Sequence, residues 1–380
     1  MKLAAKTLYG LEDLAVKELK ALGAKNLQSG NRIVTFEGDL ELLYRANLSS
    51  RTLLRILVPV SEFQAHNDRH LYQQAKKIPW NKYLSNELTF AIDATVNGQR
   101  FRHSQYAALK VKDAIVDQFK EKTGKRPSID THKPHVRLNL HISETAVTLS
   151  LDSSDVSLEK RGYRTESNEA PMSECLAAAM IMLSEWDQKT PLIEAMTGSG
   201  TLAIEAALMA SNTPPCLFRA FGFQTWMDYD SGLFKRIEHE LRSAITKPDV
   251  KIVARDISGK NISIAKRNAR RAAVIDHITF EQQDMLTSSP VADEGVVVIN
   301  PPYGERLEDD EAMLDFYHEV GRRLKHHYSG HQLWIITANL KALKRIGLKP
   351  DHRYKVFNGP LECRMNGYSL FAGKRESQQQ

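Results

Sequence analysis

The chain predicts an α/β protein in two parts, an amino-terminal α+β module followed by a doubly wound, mainly parallel sheet. Three observations predict the second part. The β-branched run Gly295-Val296-Val297-Val298-Ile299 reads as a buried parallel strand, and it ends at Asn300-Pro301-Pro302-Tyr303 because proline cannot donate to a ladder. A short apolar strand at 191–196 breaks at Thr197-Gly198-Ser199-Gly200-Thr201 and re-forms as a strong helix at 202–210. Carboxylates then close the next two strands, at Asp256 and shortly after Phe280 at Asp284.

In the amino-terminal part, strands at 1–8 and 31–36 flank a helix at 12–22, and a second helix follows near 40–46. Strands at 52–60 and 88–96 enclose a helix at 67–77. A helix at 106–122 then leads into a hairpin, 136–142 and 146–151, turning at Ser143-Glu144-Thr145. The short polar segment 152–157 is expected to be a linker. The expected divisions are 1–64, 65–155 and 156–374, with a disordered tail at 375–380.

The second part opens with a helix at 169–184. After the glycine turn and its helix, residues 212–226 are rich in Pro, Phe and Arg, and a helix follows at 229–245. That insertion carries Asp256 much farther from the glycines than the spacing of about 20 residues in a dinucleotide fingerprint, which weakens an NAD reading. A strand at 251–256, a helix at 258–273 and a strand at 277–280 come next. After 295–299 the pattern continues with a helix at 311–326, a strand at 332–338, and a closing hairpin, 353–357 and 362–370, around Asn358-Gly359-Pro360.

Strand ends of open α/β sheets bind ligands, so these residues are read as a site. Gly198, Ser199 and Gly200 permit close approach of a cofactor, and the following helix N-terminus favours a carboxylate. A lone Gly-x-Gly fits an ordinary tight turn equally well. Asp256 is the candidate for a ribose hydroxyl pair and Asp284 for an adenine amine. Asn300 and the Pro301 carbonyl offer acceptors, and Tyr303 a flat ring with a polar tip. Together they suit a planar base carrying an exocyclic amine.

Composition sets wider bounds. The 380 residues, 42% hydrophobic, suffice for two or three domains with real cores. Three scattered cysteines, Cys175, Cys216 and Cys363, give neither a disulfide framework nor a metal spacing, and no metal is expected. With no span-length apolar run and no leader pattern, a soluble cytoplasmic protein is expected. The net charge of +6 permits a polyanionic partner. Arg100, Arg102, Lys110 and Lys112 cluster near Phe101, His103 and Tyr106, and are the candidate phosphate contacts, which the resemblance given below makes contacts to RNA. Further basic groups occur at Lys266-Arg267, Arg270-Arg271, Arg322-Arg323 and Lys341 to Arg345. Singly, each reads equally well as a solvated helix face.

The run from Glu194 to Ala207 (EAMTGSGTLAIEAA) resembles motif I of the THUMP-domain ribosomal RNA guanine-N2-methyltransferases, the RlmL-like family. Asn300 to Leu307 (NPPYGERL) resembles its motif IV, and Leu158 to Arg164 with Ala170-Pro171-Met172 resembles the opening of its catalytic domain. Phe101 to Gln105 and Val111 to Asp117 resemble its RNA module. One departure is Glu194-Ala195, where the family usually shows Asp-Pro.

The resemblance implies a class I, Rossmann-like methyltransferase domain behind a ferredoxin-like segment and a THUMP domain. It implies S-adenosylmethionine as cofactor, held by Glu194, Thr197, Gly198, Ser199, Gly200, Asp256, Asp284 and Asn300. Asn300, Pro301, Pro302 and Tyr303 would be catalytic, and large-subunit ribosomal RNA the partner. A chain of this length is expected to lack the second methyltransferase domain of bifunctional family members. Alternatives are a tRNA guanine-N2 methyltransferase, an adenine-N6 nucleic-acid methyltransferase, and a non-catalytic RNA-binding assembly protein.

Overall fold

A computed structural model of the chain describes residues 1–165, 172–301 and 310–371. Its first half holds strands β1 (Lys2–Thr7), β2 (Lys25–Gly30), β3 (Ile33–Glu37), β4 (Leu53–Gln64), β5 (Phe90–Asn97), β6 (Val136–Ser143) and β7 (Ala146–Asp152). Between them lie helices α1 (Glu12–Ala21), α2 (Leu40–Ser49), α3 (Asp68–Lys77) and α4 (Ser104–Thr123). The strands form one sheet in the order β2-β3-β1-β4-β7-β6-β5. Strand β4 joins the two expected amino-terminal divisions in one sheet, pairing with β1 at one end and β7 at the other, and Pro59 sits beside its bulge, where proline is tolerated. Along the inner strands alternate residues turn apolar side chains into the helix-covered core, as Leu138, Leu140 and Ile142 do from β6.

The second half holds α5 (Glu174–Leu183), β8 (Leu192–Glu194), α6 (Thr201–Ala210), α7 (Ser231–Ser243), β9 (Ile252–Asp256), α8 (Gly259–Arg271), β10 (Ile278–Gln282) and β11 (Gly295–Ile299). It closes with α9 (Asp310–His327), β12 (His331–Thr337), α10 (Leu340–Arg345), β13 (His352–Asn358) and β14 (Leu361–Ser369). The sheet order is β10-β9-β8-β11-β12-β14-β13, with β14 antiparallel between β12 and β13. Val296 and Val298 enter one core and Val297 and Ile299 the opposite one, so β11 is buried on both faces. That double burial is why its sequence does not alternate.

The insertion that separates the glycine turn from Asp256 is folded back onto the amino-terminal half. Its Phe221, Phe223, Phe234 and Ile237 share a core with α2, β1 and β4, and the Phe223 ring stacks on Tyr44 with centroids 4.4 Å apart. Backbone bonds fasten it: Cys216 N donates to Leu48 O at 3.2 Å, and Phe223 N to Ser153 O at 3.1 Å. Arg219 donates to the carbonyls of Ser154, Val156 and Ser157 at 2.6–2.9 Å. Beneath it Arg161, fully buried, donates to Leu158 O at 2.7 Å and faces Glu205 of α6 at 3.6 Å.

Three expectations need correction. Segment 152–157 is not a solvated linker at its start, since Asp152, Ser153 and Ser154 are buried. Ser153 Oγ donates to Ile56 O and Ser154 Oγ to Asn47 Oδ1, each at 2.7 Å, so the polar groups are satisfied internally. Strand β2 was not expected; its polar sequence KNLQSG gives no apolar period because it is an exposed edge strand. The helix expected from 169 begins at Glu174, after Ser173, while 166–171 lie outside the described residues. The three cysteines are free and buried, and among the described residues no helix is long and apolar enough to cross a membrane.

Candidate functional site

The parallel register brings the sequence-predicted residues to one end of the second sheet. Glu194, the last residue of β8, is level with Ala254 of β9 on one side and Val298 of β11 on the other. Asp256 and Asn300 each lie two residues further on, so they flank the turn leaving β8 at the same height. Gln282 is level with Asp256, which puts Asp284 in the loop just beyond β10. This is also the switch point of the sheet, where the chain order reverses between β8 and β11.

The turn itself is set by backbone geometry. Gly198 and Gly200 adopt φ of 52° and 87°, left-handed values that other residues resist. At Gly200 a Cβ would lie 2.9 Å from Ala265 Cβ of α8, so this glycine serves the packing of α8 on the turn. Asn268 of the same helix donates to Ser199 O at 3.0 Å. Thr197 N donates to Arg255 O at 2.7 Å, tying the turn to the end of β9.

Asp256 is the hub. Its Oδ2 accepts from Gly198 N at 2.9 Å, and its Oδ1 from Ser258 N at 2.9 Å and Asn261 Nδ2 at 3.1 Å. A carboxylate has about four acceptor positions, which leaves room for about one further donor on Oδ2. Asp284 Oδ1 accepts from Leu286 N at 2.9 Å and is half-buried. Glu194 lies beneath the turn, only 2% exposed, accepting from Thr197 Oγ1 and, at 3.0 Å, from Ala203 N. Burial pushes its carboxyl up to about 8 against those hydrogen bonds, so at neutral pH it is mostly protonated and shapes the turn as an uncharged group.

Asn300 leaves the end of β11 and Pro301 is buried beside it, while Pro302 and Tyr303 lie outside the described residues. Sequence reasoning missed Ile257, which is 68% exposed between Asp256 and the α8 cap Ser258. It presents an apolar face at the site's edge, suited to a flat base. The available signal was an apolar residue directly after a strand-end acid. The basic candidates lie elsewhere, in and before the first turns of α4. Lys110 Nζ sits 5.0 Å from the Tyr106 ring centroid, Lys112 pairs with Asp113 at 2.9 Å, Arg102 Nε donates to Gln99 O at 3.4 Å, and Arg100 is exposed.

Comparison with known proteins finds three family models along the chain. Residues 2–57 match the RlmL ferredoxin-like domain, 65–152 the THUMP domain, and 161–367 the RMKL-like methyltransferase domain. The chain is 38% identical over 382 residues to ribosomal RNA large subunit methyltransferase K/L of Syntrophotalea carbinolica. That match covers 97% of this chain and 54% of the relative, so the chain spans about half the length of that protein. Among solved structures, SMU.472 complexed with SAH superposes with a TM-score of 0.88 at 30% identity, covering 98% of this chain and 99% of that one. A predicted N6-adenine-specific DNA methylase from Listeria monocytogenes gives 0.87 at 32%, covering 97% and 96%.

Proposed function

Because the chain belongs to the RMKL-like methyltransferase-domain family, we propose that it transfers a methyl group from S-adenosylmethionine to the N2 amine of a guanine in large-subunit ribosomal RNA. The observation that carries this reading is the level placement of Asp256 and Asn300 on either side of the glycine turn. The site's chemistry fits the cofactor: Asp256 retains an acceptor position for a ribose hydroxyl, and Ile257 offers an apolar face to adenine. Asp284 accepts from the adenine amine, and Gly198 lets the backbone approach closely. The fit is consistent with SMU.472, which was solved with SAH.

S-adenosylmethionine supplies an electrophilic methyl group. The residues of this chain supply position. Asn300 Oδ1 and the Pro301 carbonyl accept the two hydrogens of the target amine, whose lone pair is otherwise conjugated into the base. Holding both N–H bonds turns that lone pair away from the ring and raises its reactivity. As the N–C bond forms, the methyl–sulfur bond breaks, its electron pair stays on sulfur in the S-adenosylhomocysteine that leaves, and the amine loses a proton to solvent. Tyr303 stacks on the base once it has left its helix. Catalysis of this kind is mainly positioning and electrostatics.

Adenine N6 is the competing target, because it presents the same amine geometry and the Listeria relative carries that description. The THUMP match and the K/L methyltransferase relative favour ribosomal RNA, and the resemblance of the Glu194–Ala207 and Asn300–Leu307 runs to guanine-N2-methyltransferase motifs favours guanine. Nucleoside mass spectrometry of ribosomal RNA, transfer RNA and DNA from a deletion strain tests the choice. Loss of N2-methylguanosine from large-subunit RNA is expected; loss of N6-methyladenosine, or of a tRNA modification alone, contradicts it.

A further inference from the structure

The first sheet leaves one face without helices, and that face forms a groove of about 1040 Å³ crossing both amino-terminal domains. This is at the top of the range of about 300–1,000 Å³ for small-molecule pockets. Its lining mixes apolar side chains such as Ile33, Leu57 and Pro59 with polar ones. Thr35, Thr95, Asn97, His141, Ser143 and Thr148 make no side-chain hydrogen bond among the described residues.

The charges in the groove are unevenly matched. Outside its lining, Asp152 is paired with Arg55, and Arg137 binds Asp155 at 2.7 Å and Asp93 at 3.3 Å. Glu37 accepts from Asn26 Nδ2 at 2.8 Å, and Glu62 stands exposed at the rim. Lys2, Lys6 and Arg32 have no ion pair among the described residues. Lys6 is half-buried on the floor, where its ammonium makes one hydrogen bond, to Asn139 Oδ1 at 3.2 Å. Burial and the nearby Arg55 lower its pKa, against the opposing pull of Asp152 and Asp93. His141 is likewise held below its usual range by burial, so it is a neutral ring with a donor and an acceptor.

One end of the groove meets the second domain. Thr7 and Arg32 line it, while Tyr9 packs edge-on against Phe357 of β13 at 5.5 Å. We propose that this face binds a single-stranded segment of the substrate RNA, with Lys2, Lys6 and Arg32 meeting phosphates and the hydroxyl, amide and imidazole groups meeting base edges. Single strands are read in this way, on exposed sheet faces with free edges to bond. The inference rests on the RNA-methyltransferase reading and makes the groove, rather than the α4 cluster, the main contact.

The test uses the full chain with a labelled single-stranded RNA 12-mer and a duplex of equal length across a salt titration. The wild type is expected to prefer the single strand. Lys6→Gln with Arg32→Gln should weaken that binding at least tenfold and flatten the salt slope by about 0.7 per lost phosphate contact. Thr35→Glu with Thr148→Glu, which leaves Lys6 in place, should give a similar loss with an unchanged melting temperature. Wild-type binding by both double variants overturns the proposal. So does loss of binding only on charge reversal of Arg100, Arg102 and Lys110, or capture of a ribosomal protein by the groove with RNA affinity unchanged. Methylation is read separately: groove-dependent RNA binding without N2-methylguanosine overturns the guanine reading and leaves the groove standing.

Discussion

The two sheets each have seven strands but use them oppositely. Strand β6 alternates, sending Leu138, Leu140 and Ile142 inward and Arg137, Asn139 and His141 to the bare face. Strand β11 does not alternate, because both its faces are covered. A sheet covered on both sides can meet a ligand only at its strand ends, where backbone ladders stop and turns begin. A sheet covered on one side offers its whole polar face. The period of side chains along a strand therefore separates the candidate strand-end site from the face proposed to bind RNA.

Arg161 joins the two halves, donating to Ser50 O at 3.5 Å in the first and facing Glu205 at 3.6 Å in the second. Replacing a buried ion-pair partner leaves the other charge uncompensated, so Arg161→Met should cost about 3–5 kcal/mol in urea unfolding. A loss below about 1 kcal/mol would show that Glu205 and Tyr163, bonded at 3.0 Å, need no such partner. Asn300→Ala should lower kcat about a hundredfold, the scale of one lost transition-state hydrogen bond, with cofactor affinity nearly intact. Asp256→Ala should instead weaken cofactor binding by about 1.5–3 kcal/mol in calorimetry, since the bond lost is to a charged acceptor.

Smaller effects test the sheets directly. Val298→Thr buries an unmatched hydroxyl in the covered sheet and should cost about 1–3 kcal/mol. Thr148→Val on the bare face should stay within about 0.5 kcal/mol. Equal costs would erase the distinction between the sheets. Glu194 gives a pH signature. Its folded pKa, about 8, lies above the ordinary carboxyl value of 4.5, so its contribution to stability is full below 4.5 and lost as pH rises through 8. Glu194→Gln should therefore show a smaller fall in melting temperature between pH 5 and pH 9 than the wild type.

Much of the site was legible because local rules point to it. Two prolines must end a strand, two glycines must turn one, and an acid at a strand end faces the same edge. The register then aligns Asp256 with Asn300 without further information. What escaped depends on contacts far apart in sequence. Nothing local in Phe223 names Tyr44 as its stacking partner, and nothing in Ser154 predicts burial under Arg219. Polar strand β2 was unreadable because an exposed edge needs no apolar period. The groove was hidden for a related reason, since its residues lie on strands read only for their buried faces.

Asn300 at the strand-end site is proposed to direct methyl transfer to guanine N2. Protein-free large-subunit ribosomal RNA, incubated with the full chain and methyl-labelled S-adenosylmethionine, can be digested and its nucleosides resolved by mass spectrometry. Label in N2-methylguanosine with the wild type, reduced about a hundredfold in Asn300→Ala, is the predicted result. Label in N6-methyladenosine alone, or equal N2-methylguanosine from both proteins, would contradict it.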